Sequence, residues 1–600
     1  MNLVFGAASA DSYARARSWV TRRYGAPLRN VVSGPVWVGV LSGSLVGVAT
    51  RAEVSLVLIG SILGPLDGFE GNPLDDADAV AQWLLDRFDE APGDFAADLD
   101  GQFAICVITG TEIELIVDAA GMRTWYYDDR VDLFAFSTNL RVLAESRGDL
   151  NIDRSYEDFF LLSGYYPRGT TPYEHLMPMG SGSMLIYDPG GLQTRPIRRR
   201  VPSPAAVVGG ADEHAVIDAL YEVFLAALEQ QTSTAPRAAV LLGGFDSALV
   251  AAGLARIGKV VETYSFAYAD ESYNQPFADE LAAFLGVEHH WVRFDHEDIR
   301  EGMETFTDVF NRPTNWPNYV IQTAELCKRM AGDGIAQCFS GDGCDSIFLG
   351  YPGTYRRARV ISALDRLPRG FFSLMLRVLR RPRLERMLGH PYRVLLGVVR
   401  SRLRDEPART YLSFRILDEI SLPQLRRGAQ PPQCATIEEL ATEVAAPYAD
   451  LPRYRLAYQG KSAVSPNKNK MIGSADVSGI TVWSPYMHSA VASVAKNLPE
   501  KLMRPSEHTG SSVTGKYILQ RMASAKRLLP DEIIYQPKVA AVDAPIDQWY
   551  AGPLRPTVQG LWEHLPFEVD SSYVSSLIKP KWSERFFRRY VMIDKVITHA

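Results

Sequence analysis

Residues 238–250 read Ala-Ala-Val-Leu-Leu-Gly-Gly-Phe-Asp-Ser-Ala-Leu-Val, and this stretch decides the fold of the longer part of the chain. A short apolar run leads into two glycines, then an Asp-Ser pair, then the apolar spacing of a helix. This order predicts a strand, a tight turn and a helix N-terminus, an arrangement that binds phosphate. The two glycines let backbone N–H groups approach an anion closely, because no Cβ intervenes.

Asp246 is the unusual residue of this turn, because a carboxylate repels phosphate and instead suits a magnesium ion that neutralises it. The turn has neither the Gly-Lys-Ser/Thr ending of a Walker A loop nor the third glycine of a dinucleotide-binding loop. It resembles the PP-loop of ATP pyrophosphatases, Ser-Gly-Gly-x-Asp-Ser-Ser, with Leu242 and Ala248 replacing the outer serines. The alternative is a plain glycine turn in a βα unit. The resemblance implies contacts to ATP from Leu242, Gly243, Gly244, Asp246 and Ser247.

Strands and helices alternate on both sides of this turn. Strands are predicted at 261–268, 289–294 and 335–339, and helices at 213–231, 247–257 and 276–285. This alternation indicates an α/β unit with a doubly wound parallel sheet, which binds ligands at the carboxyl ends of its strands. His289 and His290 face opposite ways if they lie on a strand, which favours packing and solvent contact over a metal site.

A second glycine-rich turn, Ser-Gly-Asp-Gly-Cys-Asp at residues 340–345, follows the strand at 335–339. Asp246 and Asp345, at two strand ends, are candidate ligands for one magnesium ion, although an Asp can also cap a helix. The segment resembles the Ser-Gly-Glu-Gly-Ala-Asp-Glu segment of asparagine synthetases. That resemblance implies nucleotide contacts from Ser340 and Gly341. Asp342, which stands where those enzymes carry Glu, is the candidate proton acceptor.

The C-terminal region extends the resemblance. Residues 467–471 and 483–487 match segments of the asparagine synthetase family imperfectly, whereas 515–519 and 529–538 match its C-terminal signature. The resemblance implies that Lys516 binds phosphate and that Lys538 is a catalytic residue stabilising charge near an acyl-adenylate. Without the resemblance, solvated surface lysines are the simpler interpretation of both.

Residues 1–203 show short β-rich runs with a helical segment at 78–88, which indicates a layered α+β domain. Segments at 99–105, 117–123, 134–140 and 170–182 resemble the class II glutamine amidotransferase domain of asparagine synthetases. Working members of that family use a cysteine at the processed N-terminus as nucleophile. Here Met1 precedes Asn-Leu-Val, and the first cysteine, Cys106, lies in an apolar strand where thiols are usually inert. We therefore expect this domain to be catalytically inactive towards glutamine.

Length and composition set the limits of these interpretations. Six hundred residues predict two to four domains. We assign 1–203 to the amidotransferase-like domain, 204–212 to a linker and 213–600 to the PP-loop ATP pyrophosphatase-like synthetase domain. A net charge of −7 argues against a nucleic-acid partner. Five cysteines without CxxC spacing indicate reduced thiols and no zinc, and the absence of a signal peptide or apolar span predicts a cytoplasmic protein.

An arginine-rich insert at 356–427 has helical periodicity in two stretches. Its simplest role is to close the synthetase domain. The alternative is a surface for a partner, a peptide or an anionic membrane.

Three functions fit these observations: a glutamine-dependent asparagine synthetase, a synthetase that forms an internal amide, and a non-catalytic binding protein. Both β-lactam synthetases and lasso peptide macrolactam synthetases resemble this chain in lacking the N-terminal cysteine. Length, the altered PP-loop, Asp342 and the basic insert favour the lasso type. That resemblance implies ATP and Mg²⁺ as cofactors and a precursor peptide as substrate. A leader peptidase and a leader-recognition protein are the implied partners. A small amino acid is the alternative substrate.

Overall fold

The structure is a computed structural model. It describes residues 2–25, 28–33, 36–41, 43, 45–110, 112–149, 151–153, 156, 166, 169–197, 212–268, 277–310, 317–350, 363–379, 395–396, 398–400, 402–404, 439, 442, 467–503, 516–535, 548–549 and 552–557. We refer to the described residues up to 197 as the N-terminal unit and to those from 212 onwards as the C-terminal unit. The predicted linker at 204–212 lies outside these ranges except for Asp212.

The N-terminal unit contains two six-stranded sheets, ordered β10-β8-β9-β1-β3-β2 and β12-β11-β7-β6-β5-β4. Its elements are β1 Leu3–Ala7, α1 Ala10–Tyr24, β2 Arg29–Ser33, β3 Val36–Leu41, β4 Val46–Arg51, β5 Val54–Ile62, α2 Ala77–Glu90, β6 Gly101–Ile108, β7 Ile113–Val117, β8 Tyr126–Asp128, β9 Ala135–Ser137, α3 Leu140–Glu145, β10 Leu176–Pro178, β11 Ser183–Asp188 and β12 Gly191–Pro196.

The central strands of these two sheets are buried on both faces, which explains their long apolar runs, whereas the edge strand β12 is largely exposed. In β1, Val4 points to a core between the sheets, whereas Leu3 and Phe5 point to a core under α1 and α3. The second sheet buries its outer face against α2. Successive residues of a strand face opposite ways, so each strand must be apolar on both sides to fill both cores. The resulting order is helix, sheet, sheet, helix, which agrees with the layered α+β domain that the sequence predicts.

The C-terminal unit is built around a five-stranded sheet. Its elements are α4 Glu213–Gln230, β13 Arg237–Leu241, α5 Phe245–Arg256, β14 Val260–Tyr268, α6 Phe277–Leu285, β15 Glu288–Phe294, α7 His296–Val309, α8 Pro317–Gly332, β16 Gln337–Ser340, α9 Cys344–Ile347, α10 Arg369–Leu379, α11 Asn467–Ser478, β17 Thr481–Trp483, α12 Ser489–Asn497, α13 Glu500–Met503, α14 Tyr517–Ala525 and α15 Asp531–Ile534.

All four strand pairs of this sheet are parallel, in the order β15-β14-β13-β16-β17, as the alternation of strands and helices predicts. The chain runs outward from β13 through β14 to β15 and then crosses to β16 on the other side of β13. Helices α4, α5, α12 and α14 bury one face of the sheet, and α8 and α11 bury the other. The sequence analysis did not predict α11 or the three-residue strand β17.

Helix α11 connects the two units. The backbone N–H of Asn2 donates to the Asp476 carbonyl oxygen at 3.2 Å. Arg123 Nη1 donates to Asp476 Oδ1 at 3.0 Å and to Oδ2 at 3.2 Å, with only 4% of the Arg123 side chain exposed. Burial raises the pKa of Asp476, and Arg123 opposes that shift. The N-terminal unit thus holds the end of a helix whose first turn carries Lys470.

Removing one partner of this ion pair should destabilise the protein. Arg123→Met leaves the Asp476 carboxylate, whose side chain is 17% exposed, without its counter-ion, which costs up to about 3 kcal/mol. We expect a lower midpoint of thermal unfolding for Arg123→Met. The double variant Arg123→Met/Asp476→Leu should recover most of that loss, because no unpaired charge remains. A single variant that unfolds at the wild-type temperature would contradict this account of the contact between the units.

Candidate active site

Two glycine turns lie side by side at the carboxyl edge of the parallel sheet. Strands β13 and β16 are neighbours, and Leu241 at the end of one pairs with Ser340 at the end of the other. The strand order reverses at this point, which is where open parallel sheets bind ligands. The structure therefore brings together the two turns that the sequence analysis selected.

The first turn faces open space. A Cβ added to Gly243 or Gly244 would meet no heavy atom within 4 Å. Gly244 is also the N-cap of α5, so the first-turn N–H groups of that helix point towards the same region. A helix N-terminus beside an uncrowded glycine turn is a favourable place for a phosphate group.

Ser247 and Leu242 both make contacts within the protein at this turn. Ser247 Oγ accepts hydrogen bonds from the N–H groups of Gly243 and Gly244 at 2.9 and 3.2 Å, and it donates to the Gly244 carbonyl oxygen. Its hydroxyl therefore shapes the turn. The side chain of Leu242 lies in the core, and its N–H donates to the Tyr264 carbonyl oxygen. Contacts of Leu242 and Ser247 with a nucleotide stay predictions.

Asp246, Asp345 and Lys516 form a buried ion cluster beside the first turn. Lys516 Nζ lies 2.6 Å from both carboxylate oxygens of Asp246 and 2.6 Å from Asp345 Oδ1. Burial alone would lower the pKa of Lys516, but the two carboxylates raise it well above its ordinary value. All three are predicted site residues, and in the structure the two carboxylates contact the same ammonium group.

The two carboxylates converge on a single cationic atom, so this point of the cleft favours positive charge. Carboxylate oxygens are also the ligands that Mg²⁺ prefers, and a divalent ion would use the same oxygens that now contact the ammonium. The donor set therefore fits a magnesium ion. Magnesium coordination by Asp246 and Asp345 stays a prediction.

The cluster depends on close backbone approaches. Lys516 has φ = +68°, a left-handed conformation that is strained for a residue with a side chain. Its N–H donates to the Phe348 carbonyl oxygen at 2.9 Å, which holds that conformation. A Cβ at Gly350 would clash with Asp345 Oδ1 and Lys516 Cε, and one at Gly341 would lie 2.8 Å from Asp246 Cβ. Both positions therefore require glycine.

Asp342 forms a second buried ion pair at the end of β16. Lys470 Nζ lies 2.7 Å from Asp342 Oδ2, and the same oxygen accepts a hydrogen bond from Ser340 Oγ at 2.9 Å. Lys470 Nζ also lies 3.8 Å from the centroid of the Tyr319 ring, a cation–π contact. Burial would lower the pKa of Lys470, but Asp342 and Tyr319 raise it. Asp342 is thus oriented by two partners.

The segment after β17 hydrogen-bonds to both glycine turns. Ser484 Oγ donates to the Asp342 carbonyl oxygen at 2.6 Å, and Tyr486 OH donates to the Asp246 carbonyl oxygen at 2.9 Å. These two contacts fix the spacing between the turns.

Lys470, Ser484 and Tyr486 are site residues that the sequence analysis did not select. The available signal was the imperfect family resemblance of 467–471 and 483–487, the two segments that contain them. Lys538 lies outside the described residues, and its catalytic role stays a prediction.

A separate acidic cluster lies at the opposite edge of the sheet, near the amino ends of β14 and β15. Glu262, Glu288 and His290 come close enough for one ion, but Arg237 already neutralises Glu262 at 2.6 Å. Glu262 Oε2 also contacts His290 Nε2 at 3.2 Å. This cluster is satisfied as an ion-pair network.

Residues 219–591 match the asparagine synthase family. The chain belongs to the asparagine synthase family. Asparagine synthetase [glutamine-hydrolyzing] 1 of Bacillus subtilis (strain 168) is 20% identical over 532 residues, which is 85% of this chain and 78% of that enzyme. Asparagine synthetase [glutamine-hydrolyzing] of Mus musculus is 25% identical over 276 residues, 41% of this chain and 46% of that enzyme.

Among solved structures, the allosteric regulatory enzyme of purine biosynthesis covers 48% of this chain at 10% identity, with a TM-score of 0.24.

The family-level activity is ATP-dependent amide formation by a ligase. The two glycine turns, the Asp246–Asp345–Lys516 cluster and the Asp342–Lys470 pair all lie inside the matched range.

Both relatives are named as glutamine-hydrolysing enzymes. Whether the N-terminal unit of this chain offers a reactive cysteine therefore bears on its function. Residues 1–105 contain no cysteine. Cys106 is fully buried in β6, and burial raises the pKa of its thiol far above the ordinary value. Both properties make it inert. The expectation that Cys106 packs inside a strand is confirmed.

A methyl group at Gly350 should disrupt the ion cluster without unfolding the protein. In Gly350→Ala the new Cβ displaces Lys516 or Asp345, which costs one hydrogen bond between charged groups, about 1.5–3 kcal/mol. We expect at least about tenfold weaker binding of Mg-ATP by isothermal titration calorimetry.

The matched control is Gly332→Ala, because a Cβ at the end of α8 meets nothing within 4 Å. It should bind Mg-ATP like the wild type. Equal affinity in Gly350→Ala and Gly332→Ala would show that the cluster does not form the nucleotide site.

Proposed function

We propose that the chain is an ATP-dependent, AMP-forming synthetase that closes a macrolactam. In this reaction a side-chain carboxylate of Asp or Glu in a precursor peptide is activated and then captured by the N-terminal amine of the same peptide. This is the reaction of macrolactam synthetases in lasso peptide biosynthesis. The observation that carries the proposal is the pairing of the Asp246–Asp345–Lys516 ion cluster with an N-terminal unit whose one cysteine, Cys106, is fully buried.

The phosphate end of the site supports an ATP-consuming reaction. The open turn at Gly243 and Gly244 leaves room for phosphate oxygens, and the first-turn N–H groups of α5 are the donors there, because the N–H groups of both glycines donate to Ser247 Oγ. Asp246 and Asp345 would hold a magnesium ion, which when bound neutralises the pyrophosphate leaving group. Lys516 lies in contact with both acids and supplies a further positive charge for phosphate oxygens.

The bond changes balance without any other reactant. A carboxylate oxygen of the peptide attacks the α-phosphorus of ATP, and pyrophosphate leaves with the electron pair of the broken P–O bond. The amine nitrogen then attacks the acyl carbon, and AMP leaves with the electron pair of the acyl C–O bond. The amine gives up one proton. The product is an amide ring that has lost one water relative to the linear peptide.

The ion pair of Lys470 and Asp342 can supply charge for this chemistry. The ammonium of Lys470 is almost fully buried, so its field acts in a medium of low dielectric constant and can stabilise a developing oxyanion. Asp342 is held by Lys470 and Ser340 and is our candidate acceptor for the proton of the amine. Lys538 would add a second positive charge near the acyl group, as the family resemblance implies.

Capture by an amine of the same peptide is consistent with an N-terminal unit that does not hydrolyse glutamine. Without a thiol nucleophile the unit releases no ammonia, which would otherwise compete for the activated acid. Holding both ends of one peptide together converts a bimolecular step into an intramolecular one, worth roughly 7–11 kcal/mol in well-aligned cases. The N-terminal unit then acts as a scaffold that positions α11 and Lys470. A leader peptidase and a leader-recognition protein would supply the peptide.

Mass spectrometry of a peptide reaction tests this function. The substrates are synthetic peptides with a free N-terminal amine and one internal Asp or Glu, incubated with ATP and magnesium. A substrate peptide should lose one water and become resistant to Edman degradation, with one AMP released per ring. Acetylating its N-terminus, or replacing the acceptor acid by its amide, should abolish the ring, because each change removes one of the two reacting groups.

Two results would replace this function with another. Rapid synthesis of asparagine from aspartate and ammonium would identify an asparagine synthetase, and closure of a four-membered ring on a small β-amino acid would identify a β-lactam synthetase. Release of glutamate from glutamine would contradict the inert N-terminal unit. An Asp345→Asn variant serves as the control for contaminating activity, since it should form no ring.

A further inference from the structure

Exposed apolar side chains are concentrated in one small part of the C-terminal unit. Seven large apolar side chains are exposed in the described part of the chain, and five of them belong to residues 367–395. We refer to the three of them that lie on α10 as the apolar face: Phe371, Leu374 and Val378. Leu374 alone is 60% exposed. Apolar patches of this kind on a protein surface usually mark a binding site.

Helix α10 is apolar on two sides. Its inner side packs Phe372 and Leu379 against Leu396 and Val399 in a small core of their own. Phe371, Leu374 and Val378 follow at spacings of three and four residues, so they share one side of the helix and point outward. A surface helix of a water-soluble protein normally carries polar residues there. We therefore expect the outward side of α10 to contact a binding partner and not water alone.

The surroundings of the apolar face are strongly basic. Arg366, Arg369 and Arg377 are exposed beside it. In sequence, residues 356–404 hold fourteen arginines and two acidic residues, a net charge of +12 in a chain whose total is −7. Two copies of such a surface would repel each other, which disfavours self-association. Exposed apolar side chains among arginines match a lipid surface that carries negative charge.

We propose that α10 and its flanking arginines dock this protein peripherally on an anionic membrane. The apolar face enters the boundary between head groups and acyl chains, and the arginines contact lipid phosphates. The helix lies flat on the surface, since none of the helices in the described ranges is both long enough and apolar enough to cross a bilayer. This inference is independent of the reaction proposed above.

Flotation of the full-length protein with lipid vesicles tests the proposal. The probes are vesicles of phosphatidylcholine alone and of phosphatidylcholine mixed with phosphatidylglycerol. Leu374→Asp should weaken binding to the mixed vesicles at least about tenfold, because a charge replaces a buried leucine. Arg377→Gln should weaken it about fivefold, and raising the salt concentration should have a similar effect.

Phe284→Asp is the matched control, because Phe284 is 51% exposed on α6, outside the apolar face. It should bind like the wild type, and all variants should keep the wild-type melting temperature. Binding that requires phosphatidylglycerol and is lost only in the α10 variants supports the proposal. Equal flotation with both vesicles, or undiminished binding of Leu374→Asp, overturns it. So does a dimer that Leu374→Asp dissociates in the absence of any vesicle binding.

Discussion

The contact of Lys516 with Asp246 and Asp345 is the interaction on which the rest of the site depends. Asp246 and Lys516 are 270 positions apart in sequence, and all three side chains are largely withdrawn from water. A buried ammonium without its carboxylates would be strongly unfavourable, so the three segments can only dock together. Their docking places the turn after β13, the helix α9 and the start of α14 at one edge of the sheet. The strained backbone of Lys516 and the glycine at position 350 follow from the same requirement.

Helix α11 extends this constraint to the N-terminal unit. Lys470 in its first turn reaches Asp342, and Asp476 near its end is held by Arg123 and by the backbone of Asn2. Because α11 is held at both ends, the N-terminal unit helps to determine where Lys470 lies relative to Asp342. The N-terminal unit, which lacks a reactive thiol in the described residues, thus still contributes to the site by positioning Lys470.

Local patterns predicted the fold better than they predicted the site. The stretch at 238–250 predicted β13, its turn and α5, because glycines and apolar spacing act over a few residues. The direction of a hydroxyl is not encoded in such a pattern, so the pattern does not predict that Ser247 Oγ accepts hydrogen bonds from the turn itself. Strand β17 was missed because three residues carry no periodicity. Lys470 was missed because a lysine in sequence looks the same whether its ammonium is solvated or buried beside Asp342.

Transfer of heavy oxygen from the acceptor carboxylate to AMP shows whether that carboxylate itself attacks ATP. A substrate peptide whose acceptor carboxylate carries heavy oxygen in both positions is converted in ordinary water, and the AMP is analysed by mass spectrometry. If the carboxylate attacks the α-phosphorus, each AMP carries one heavy oxygen atom and the ring amide carries the other. Unlabelled AMP, or heavy oxygen in inorganic phosphate with ADP as the co-product, would contradict it.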